Sequence, residues 1–398
     1  MGQVGMGQDC AGIGQQLLAE ESHTLVTFNV LSLNRESLIG QTLRAGTLDI
    51  RFLLLSAGAL LIAALTGPKF AIGIFAGIWA WRAGMGKPHR LTAFFHVLLV
   101  IGLLEALLGI TQRFLLPGWI FAYQNFGTVS GTLINHNHFA GLMGMLAFVP
   151  FGLAYARVRG GQLAGPYVYV LASAFIAFAL ICSLSRMGIV SFVAGAALSV
   201  IVIRMAGRTA RNIGLALGLG LLGLLLLGAV WIGVDAFIDS YAALVGNDQG
   251  IEDSRPIIFR DTMRMIADHP WGIGPGNYQD VFRRYQTTRL RLLFDHTHND
   301  YLEMAAEWGV LAAAVFWALI VLVLIRSVKV FLSSNSFQSR GNILTCIGAI
   351  ATIMVHSLAD FNLQIPVNAS LFFIFVGLAL TCGNAPKLRA ASPADFHP

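Results

Sequence analysis

The sequence is poor in charged residues and in cysteine, and each shortage excludes a class of protein. Only 12% of its 398 residues are charged, whereas 56% are hydrophobic and the mean hydropathy is +0.70. A soluble domain cannot cover that much apolar surface, so we predict an all-α, polytopic membrane protein. The four cysteines, Cys10, Cys182, Cys346 and Cys382, lie at no disulfide or metal-ligand spacing. No disulfide or metal framework is therefore expected.

Signals for nucleotides, nucleic acids and secretion are also missing. The glycine-rich turn at 272–276 lacks the Gly-Lys-Ser/Thr ending of a phosphate-binding loop. The formal net charge of +6 is not gathered into a basic stripe or a nucleic-acid motif. Residues 1–50 show no apolar signal-peptide core followed by a cleavage site, and their role is unclear. We expect no nucleic-acid partner and no cofactor.

Long apolar runs are present instead, and they predict the membrane organisation. A helix needs about 20 apolar residues to cross the hydrocarbon layer, so we expect about ten spans, with a range of about nine to twelve. The runs are 52–66, 69–82, 91–112, 138–155, 166–184, 187–203, 212–234, 302–325, 341–360 and 366–383. After residues 1–50 they define a transmembrane part at 51–234 with about seven spans and a loop at 235–300. A second transmembrane part at 301–383 has about three spans, and a cytoplasmic tail follows at 384–398.

The positions of basic residues predict which side each connection faces. Lysine and arginine in short connections stay cytoplasmic, and alternate connections are basic, as at Arg157, Arg204 and Arg340. The remaining connections then face the outer side of the membrane, which we expect to be the periplasm. They are 113–137, 184–187, 235–300 and 360–366. Because the unusual polar residues are concentrated in these four regions, we expect them to meet on one outer face.

The long loop at 235–300 is rich in arginine. It holds seven arginines, ten acidic residues and no lysine. A guanidinium group grips phosphate oxygens in pairs and keeps its charge beside lipid, although most of these arginines are expected to pair with local acids. Pro256 and the His269-Pro270 pair predict the start and the end of a partly amphipathic helix that lies on the membrane with Arg255 at its headgroup end.

The most distinctive run is 294–309, where the polar loop ends and an apolar run begins. It contains His298-Asn299, and nine residues separate Asn299 from Gly309. This spacing resembles the signature of the O-antigen ligase and polysaccharide polymerase superfamily, although Ala312 departs from the Gly, Thr or Tyr of its last position. Further blocks that resemble the superfamily are 131–141, 183–186 and 356–366, and the similarity spans about residues 91–383.

The resemblance implies a membrane glycosyltransferase that needs no metal. Such enzymes move a glycan from an undecaprenyl-pyrophosphate carrier to a sugar hydroxyl at the periplasmic face. By motif, Arg186 and either Arg255 or Arg260 would hold the pyrophosphate, and His298 would be the catalytic histidine. A ligase uses lipid A–core as acceptor, and a polymerase uses a growing polysaccharide. Membrane lipid and other polysaccharide-assembly proteins are further expected partners.

The chemistry of the residues agrees with this scheme, because arginine can neutralise a diphosphate and a neutral imidazole is a suitable general base. Candidates for orienting the His298 imidazole are Asp295, Asp300, Glu303 and Glu307. On a helix that starts near Asn299, Glu303 and Glu307 share one face. The residues expected to support the site or bind the acceptor are Asn299, Asp300, Glu303, His136, His138, His356 and Asp360.

Other interpretations stay open from the sequence alone. His298 could simply cap a helix, the two imidazoles of His136 and His138 fall short of a metal site, and His356 with Asp360 could be a structural pair. A transporter or flippase for lipid-linked glycans is the rival function, since polar residues inside a membrane can line a pathway. The chain lacks the internal repeats typical of transporters. A non-catalytic scaffold for polysaccharide assembly is the third alternative.

Overall fold

The computed structural model describes residues 73, 76–80, 88–115, 119–120, 123–124, 129–159, 165–207, 255–287 and 294–382. Its helices are α1 (Pro88–Phe114), α2 (His136–Leu146), α3 (Phe148–Arg159), α4 (Pro166–Cys182), α5 (Arg186–Met205), α6 (Arg255–Asp268), α7 (Tyr278–Phe282), α8 (Asp300–Trp308), α9 (Val310–Ser333), α10 (Phe337–His356) and α11 (Pro366–Thr381). A 3-10 helix covers Asn362–Gln364, and two short antiparallel strands, β1 (Trp119–Ile120) and β2 (Tyr123–Gln124), pair in the loop after α1.

The all-helical prediction is confirmed for the described residues apart from the short strands β1 and β2, and the count of about ten spans stays a prediction. Four segments of the described chain are long and apolar enough to cross a membrane, namely Leu91–Phe114, His136–Val158, Arg186–Met205 and Val310–Ser333. Two shorter apolar helices are α4 and α11. The predicted runs 52–66 and 212–234, most of 69–82, and the segments 1–50, 235–254 and 384–398 lie outside the described residues.

Helix α10 lies at the centre of the described core. It packs against α2, α3, α5, α9 and α11, and most of its side chains are buried. Glycines permit its closest approach to α3, because a β-carbon added at Gly152 would overlap the carbonyl oxygen of Gly341, and one added at Gly341 would overlap that of Gly152. Small residues bring membrane helices into such backbone contact, and here they join α3 to the first turns of α10.

Two apolar runs that the sequence predicts as continuous are each divided between two helices in the structure. Pro150 has no N–H to donate to the carbonyl of Leu146, and the run 138–155 is accordingly divided between α2 and α3. The run 302–325 is divided at Gly309, whose φ of 87° ends α8 and starts α9 in a new direction. The apolar span therefore begins at Val310, and α8 with its carboxylates precedes it.

The end of α8 is bound to the glycine-rich turn that follows α6. The backbone N–H groups of Ile273 and Gly274 donate to the carbonyls of Ala306 and Glu307 at 2.9 and 3.0 Å. The Glu307 side chain also accepts from the N–H of Gly276 at 2.8 Å. Burial is the main reason that the pKa of Glu307 rises to about 7. Glu307 thus joins the α6–α7 segment to α8, and its carboxylate is occupied by this structural hydrogen bond.

Candidate functional site

The candidate site is formed where four separate parts of the chain meet. These are the start of α2, the turn between α4 and α5, the segment before α8, and the turn after α10. Helix α6, whose first residue is Arg255, packs against α8 beside them. The convergence agrees with the expectation that the polar connections share one face.

His298 lies immediately before α8 in an uncommon backbone conformation. Its φ is 55°, in the left-handed region, where non-glycine residues store about 1–3 kcal/mol of strain. Asn299 caps α8 by accepting from the N–H of Leu302 at 3.0 Å, and it donates to the carbonyl of Leu358 at 2.8 Å. Because strained geometry persists only where the surroundings impose it, these contacts mark His298 as a positioned side chain.

Asp300 binds the same turn from the next position along the chain. Its Oδ2 accepts from the hydroxyl of Ser357 at 2.6 Å and from the N–H of Leu363 at 3.2 Å. The side chain is fully buried, and burial together with the charge of Glu303 raises the pKa of Asp300 well above its usual range, against the lowering effect of the Ser357 hydrogen bond. Asn299 and Asp300 therefore join α8 to the turn after α10, which fixes His298 against that turn.

Glu303 and Thr297 fix the segment from its other side. Glu303 accepts from the N–H of Thr297 at 2.9 Å and contacts Nδ1 of His296 at 2.6 Å. The Thr297 hydroxyl donates to the carbonyl of Asn299 at 2.6 Å and accepts from its N–H at 2.9 Å. No sequence motif pointed to Thr297, since its contacts with Asn299 and Glu303 depend on the local folding of the segment.

Asp360 is surrounded by three imidazoles. Its Oδ1 lies 3.7 Å from Nδ1 of His298 and 3.8 Å from Nε2 of His138, and its Oδ2 lies 3.8 Å from Nε2 of His356. Asp360 is buried, which by itself would raise its pKa. The interactions with His298, His356 and His138 outweigh burial, and the pKa of Asp360 falls below its ordinary value. Asp360 is thus an anion suited to stabilise a neighbouring imidazolium.

The carboxylate beside His298 is Asp360, which is not among the four acids that the sequence suggested for orienting the ring. Asp300 is hydrogen-bonded to Ser357, and Glu303 contacts His296. Glu307 accepts from the N–H of Gly276, and Asp295 is exposed. None of these four is recorded in contact with the His298 ring, whereas Asp360 lies 3.7 Å from it. Asp360 is one of the predicted supporting residues. Its pairing with His298 was not predicted, because the two residues lie 62 positions apart in the sequence.

The phenyl ring of Phe361 packs among three of the site histidines. His296 stacks on it with ring centroids 4.3 Å apart, and His298 and His138 meet it edge-on at 4.9 and 4.7 Å. The ring is buried and excludes water from one side of the imidazoles. No sequence pattern pointed to Phe361, because a phenylalanine at the end of an apolar run is ordinary.

Two arginines approach the same region from helix N-termini. Arg186 is the first residue of α5 and Arg255 is the first residue of α6, and both are half-buried. Their charges act on His136, the first residue of α2, whose Nδ1 lies 2.9 Å from the carbonyl of Ser183. Helix N-termini carry a partial positive charge. Three of them together with two guanidinium groups make this part of the site suited to a polyanion.

Arg260 is placed differently from Arg255, although both belong to α6. Its guanidinium contacts Asp261 at 3.2 Å and donates to the hydroxyl of Thr287 at 2.6 Å. Asp261 also accepts from the N–H of Thr287, so these residues connect α6 to the segment after α7. Five positions along a helix turn the side chain by roughly 140°, which separates the directions of Arg255 and Arg260.

The site was also tested for a metal-binding arrangement. Within the residues that the structure describes, no group of three or more His, Cys, Asp or Glu side chains has the geometry to hold a metal ion. The histidines around Asp360 contact its carboxylate at ion-pair distances.

Comparisons with known proteins give one informative match. Residues 171–317, which include Arg186, Arg255 and His298, match the family model described as O-antigen ligase. A solved chain described as "structural coordination of polymerization and crosslinking by a peptidoglycan synthase complex" is 17% identical, with a TM-score of 0.43, over 85% of this chain and 97% of that chain. No curated protein matches. The match over residues 171–317 confirms the resemblance to the O-antigen ligase and polymerase superfamily that the motifs indicate.

Proposed function

We propose that this protein is a membrane glycosyltransferase of the O-antigen ligase type. It would move a glycan from an undecaprenyl-pyrophosphate carrier to a sugar hydroxyl of lipid A–core, without a metal, at the periplasmic face of the bacterial inner membrane. The observation that carries the proposal is the strained His298 beside the buried Asp360, with Arg186 and Arg255, the first residues of α5 and α6, as the candidate cations for the diphosphate. The family match over residues 171–317 supports the same activity.

The proposed chemistry divides between the two halves of the site. The diphosphate leaves with the electron pair of the anomeric carbon–oxygen bond, and Arg186 and Arg255 would neutralise the charge that accumulates on it. The acceptor hydroxyl attacks the anomeric carbon and loses its proton to the imidazole of His298. Asp360, 3.7 Å away, would stabilise the imidazolium that forms. The half-buried His136 would line the wall against which the acceptor lies, whereas His138 and His356 are buried beside Asp360.

The membrane arrangement is part of the proposal. We infer about ten spans, a periplasmic segment at 235–300 and cytoplasmic basic loops. The helix ends support this orientation. Site residues lie at the start of α2, the start of α5 and the end of α10, and basic residues lie at the opposite ends, at Arg157, Arg204 and Arg340.

The acceptor can be identified from the glycolipids of a strain that lacks the protein. For a ligase, we expect unmodified lipid A–core together with long glycan retained on the carrier lipid, and re-expression of the wild-type chain should restore the mature glycolipid. Single-repeat products in place of long glycan would instead identify a polymerase that uses the same donor. An unchanged glycolipid profile would contradict both activities.

A further inference from the structure

A second imidazole in the site is paired with a buried carboxylate more closely than His298 is. Nδ1 of His296 lies 2.6 Å from Oε1 of Glu303, and the Glu303 side chain is 1% exposed. Such a contact places the Nδ1 proton toward the carboxylate, so that Nε2 becomes the basic atom of the neutral ring. A histidine oriented by a third group in this way is the usual form of a proton-transferring imidazole.

The two carboxylates of the site serve different numbers of histidines. Asp360 lies 3.7–3.8 Å from each of three imidazoles, so its single charge is shared. Glu303 has His296 as its one recorded imidazole contact among the described residues, and its second oxygen accepts from the N–H of Thr297. A buried anion requires a compensating cation or hydrogen bonds, and Glu303 is therefore built to stabilise a protonated His296.

His296 and His298 are two residues apart in the chain, and their rings meet the same phenyl ring. Both rings contact the phenyl ring of Phe361, His296 flat against it and His298 edge-on. The charged and titratable groups around His296 are Glu303 and Glu307 from α8, His138 from α2, and Asp295 and His298 from its own segment. Glu307 is bound to Gly276, which leaves Glu303 as the partner that fixes the ring.

We propose that His296, paired with Glu303, is a proton-relay residue that receives the acceptor proton from His298. The inference rests on the proposed function and adds to it the route by which the proton leaves. When donor and acceptor fill the site, they cover His298, and a protonated His298 cannot serve as base in the next turnover. Glu303 gives the proton a second place to reside.

The atoms balance through the whole transfer. The bond between the acceptor oxygen and the anomeric carbon forms as the bond from that carbon to the diphosphate oxygen breaks, and the electron pair leaves with the diphosphate. The hydroxyl proton moves to His298, then to Nε2 of His296 through a sugar hydroxyl or solvent, and finally to the periplasm. No oxidant, reductant or further reactant is needed.

The relay can be separated from a structural role with two substitutions at one position. In His296→Gln the side-chain amide can still donate to Glu303, but it cannot carry the proton, and we expect kcat to fall about 10-fold with the donor KM unchanged, less than the loss of a direct base. In His296→Gly we expect added imidazole to restore much of the lost rate. Asp295→Asn, at the exposed neighbouring position, is the matched control and should transfer glycan at the wild-type rate.

The assay uses the full-length protein in liposomes with a diphosphate-linked glycan donor. A His296→Gln protein with the wild-type kcat would overturn the relay, and so would a His296→Gly protein that is folded but insensitive to imidazole. If the wild-type protein itself transfers no glycan under these conditions, the proposed function fails first. The two failures are therefore distinguishable.

Discussion

Replacing His298 with alanine is expected to abolish glycan transfer while the protein still inserts into the membrane. General-base groups contribute about 10²–10⁴-fold to rate, and His298 is the imidazole that the strained backbone and the buried Asp360 present to the acceptor. The contacts that hold the segment run through Asn299, Asp300 and Glu303, and these remain in the variant. We therefore expect a loss of at least about 10³-fold in kcat with nearly normal expression.

The backbone at His298 requires a second variant as control. Alanine is disfavoured at a φ of 55°, whereas asparagine tolerates it and carries no base. His298→Asn should thus be as inactive as His298→Ala but closer to the wild type in thermal stability. His269 is an exposed histidine just after α6, and His269→Ala should leave transfer unchanged. Full activity of His298→Asn would remove His298 from the reacting centre.

Substitution of the two arginines is expected to impair use of the donor. Arg186 and Arg255 are the first residues of α5 and α6, and both are half-buried. Loss of a group that stabilises developing negative charge costs about 10²–10³-fold in rate, and we expect this for alanine at either position. Lysine keeps the charge but cannot grip two phosphate oxygens at once, so we expect about 10-fold slower transfer and a higher donor KM.

The same helix supplies the controls for this experiment. Arg264, on α6, is exposed and forms an ion pair with Asp261 at 3.6 Å, and Arg264→Lys should transfer glycan like the wild type. Arg260 is bound to Asp261 and Thr287, so Arg260→Lys tests which α6 arginine meets the diphosphate. Donor kinetics altered in Arg260→Lys but not in Arg255→Lys would reverse our assignment.

Local features of the site were predictable from the sequence, because short-range rules govern them. Pro256 and the His269-Pro270 pair predicted a helix in the region where α6 runs from Arg255 to Asp268. Asn299 caps α8, and Glu303 and Glu307 share one face of it, as the four-residue spacing predicted. The composition was enough to predict helices of membrane-spanning length.

Long-range pairings were not predictable, because they depend on how the helices pack. The partner of His298 is Asp360, brought close by the packing of α10 and by the contacts of Asn299 and Asp300 with the turn that follows it. The contact of Arg260 with Thr287, 27 positions along the chain, is likewise a tertiary fact. Gly309 is a local signal for the break in the run 302–325. Because apolar residues lie on both sides of Gly309, the sequence did not reveal that the chain changes direction there.

We propose that these residues form a transferase site for a lipid-diphosphate-linked glycan. The most direct test is to reconstitute the purified full-length protein in liposomes with a radiolabelled undecaprenyl-pyrophosphate glycan and lipid A–core, and to follow the label by gel. We predict that label moves to the acceptor with the wild-type protein and stays on the carrier with His298→Asn. Equal transfer by both proteins, or transfer by neither, would contradict the account.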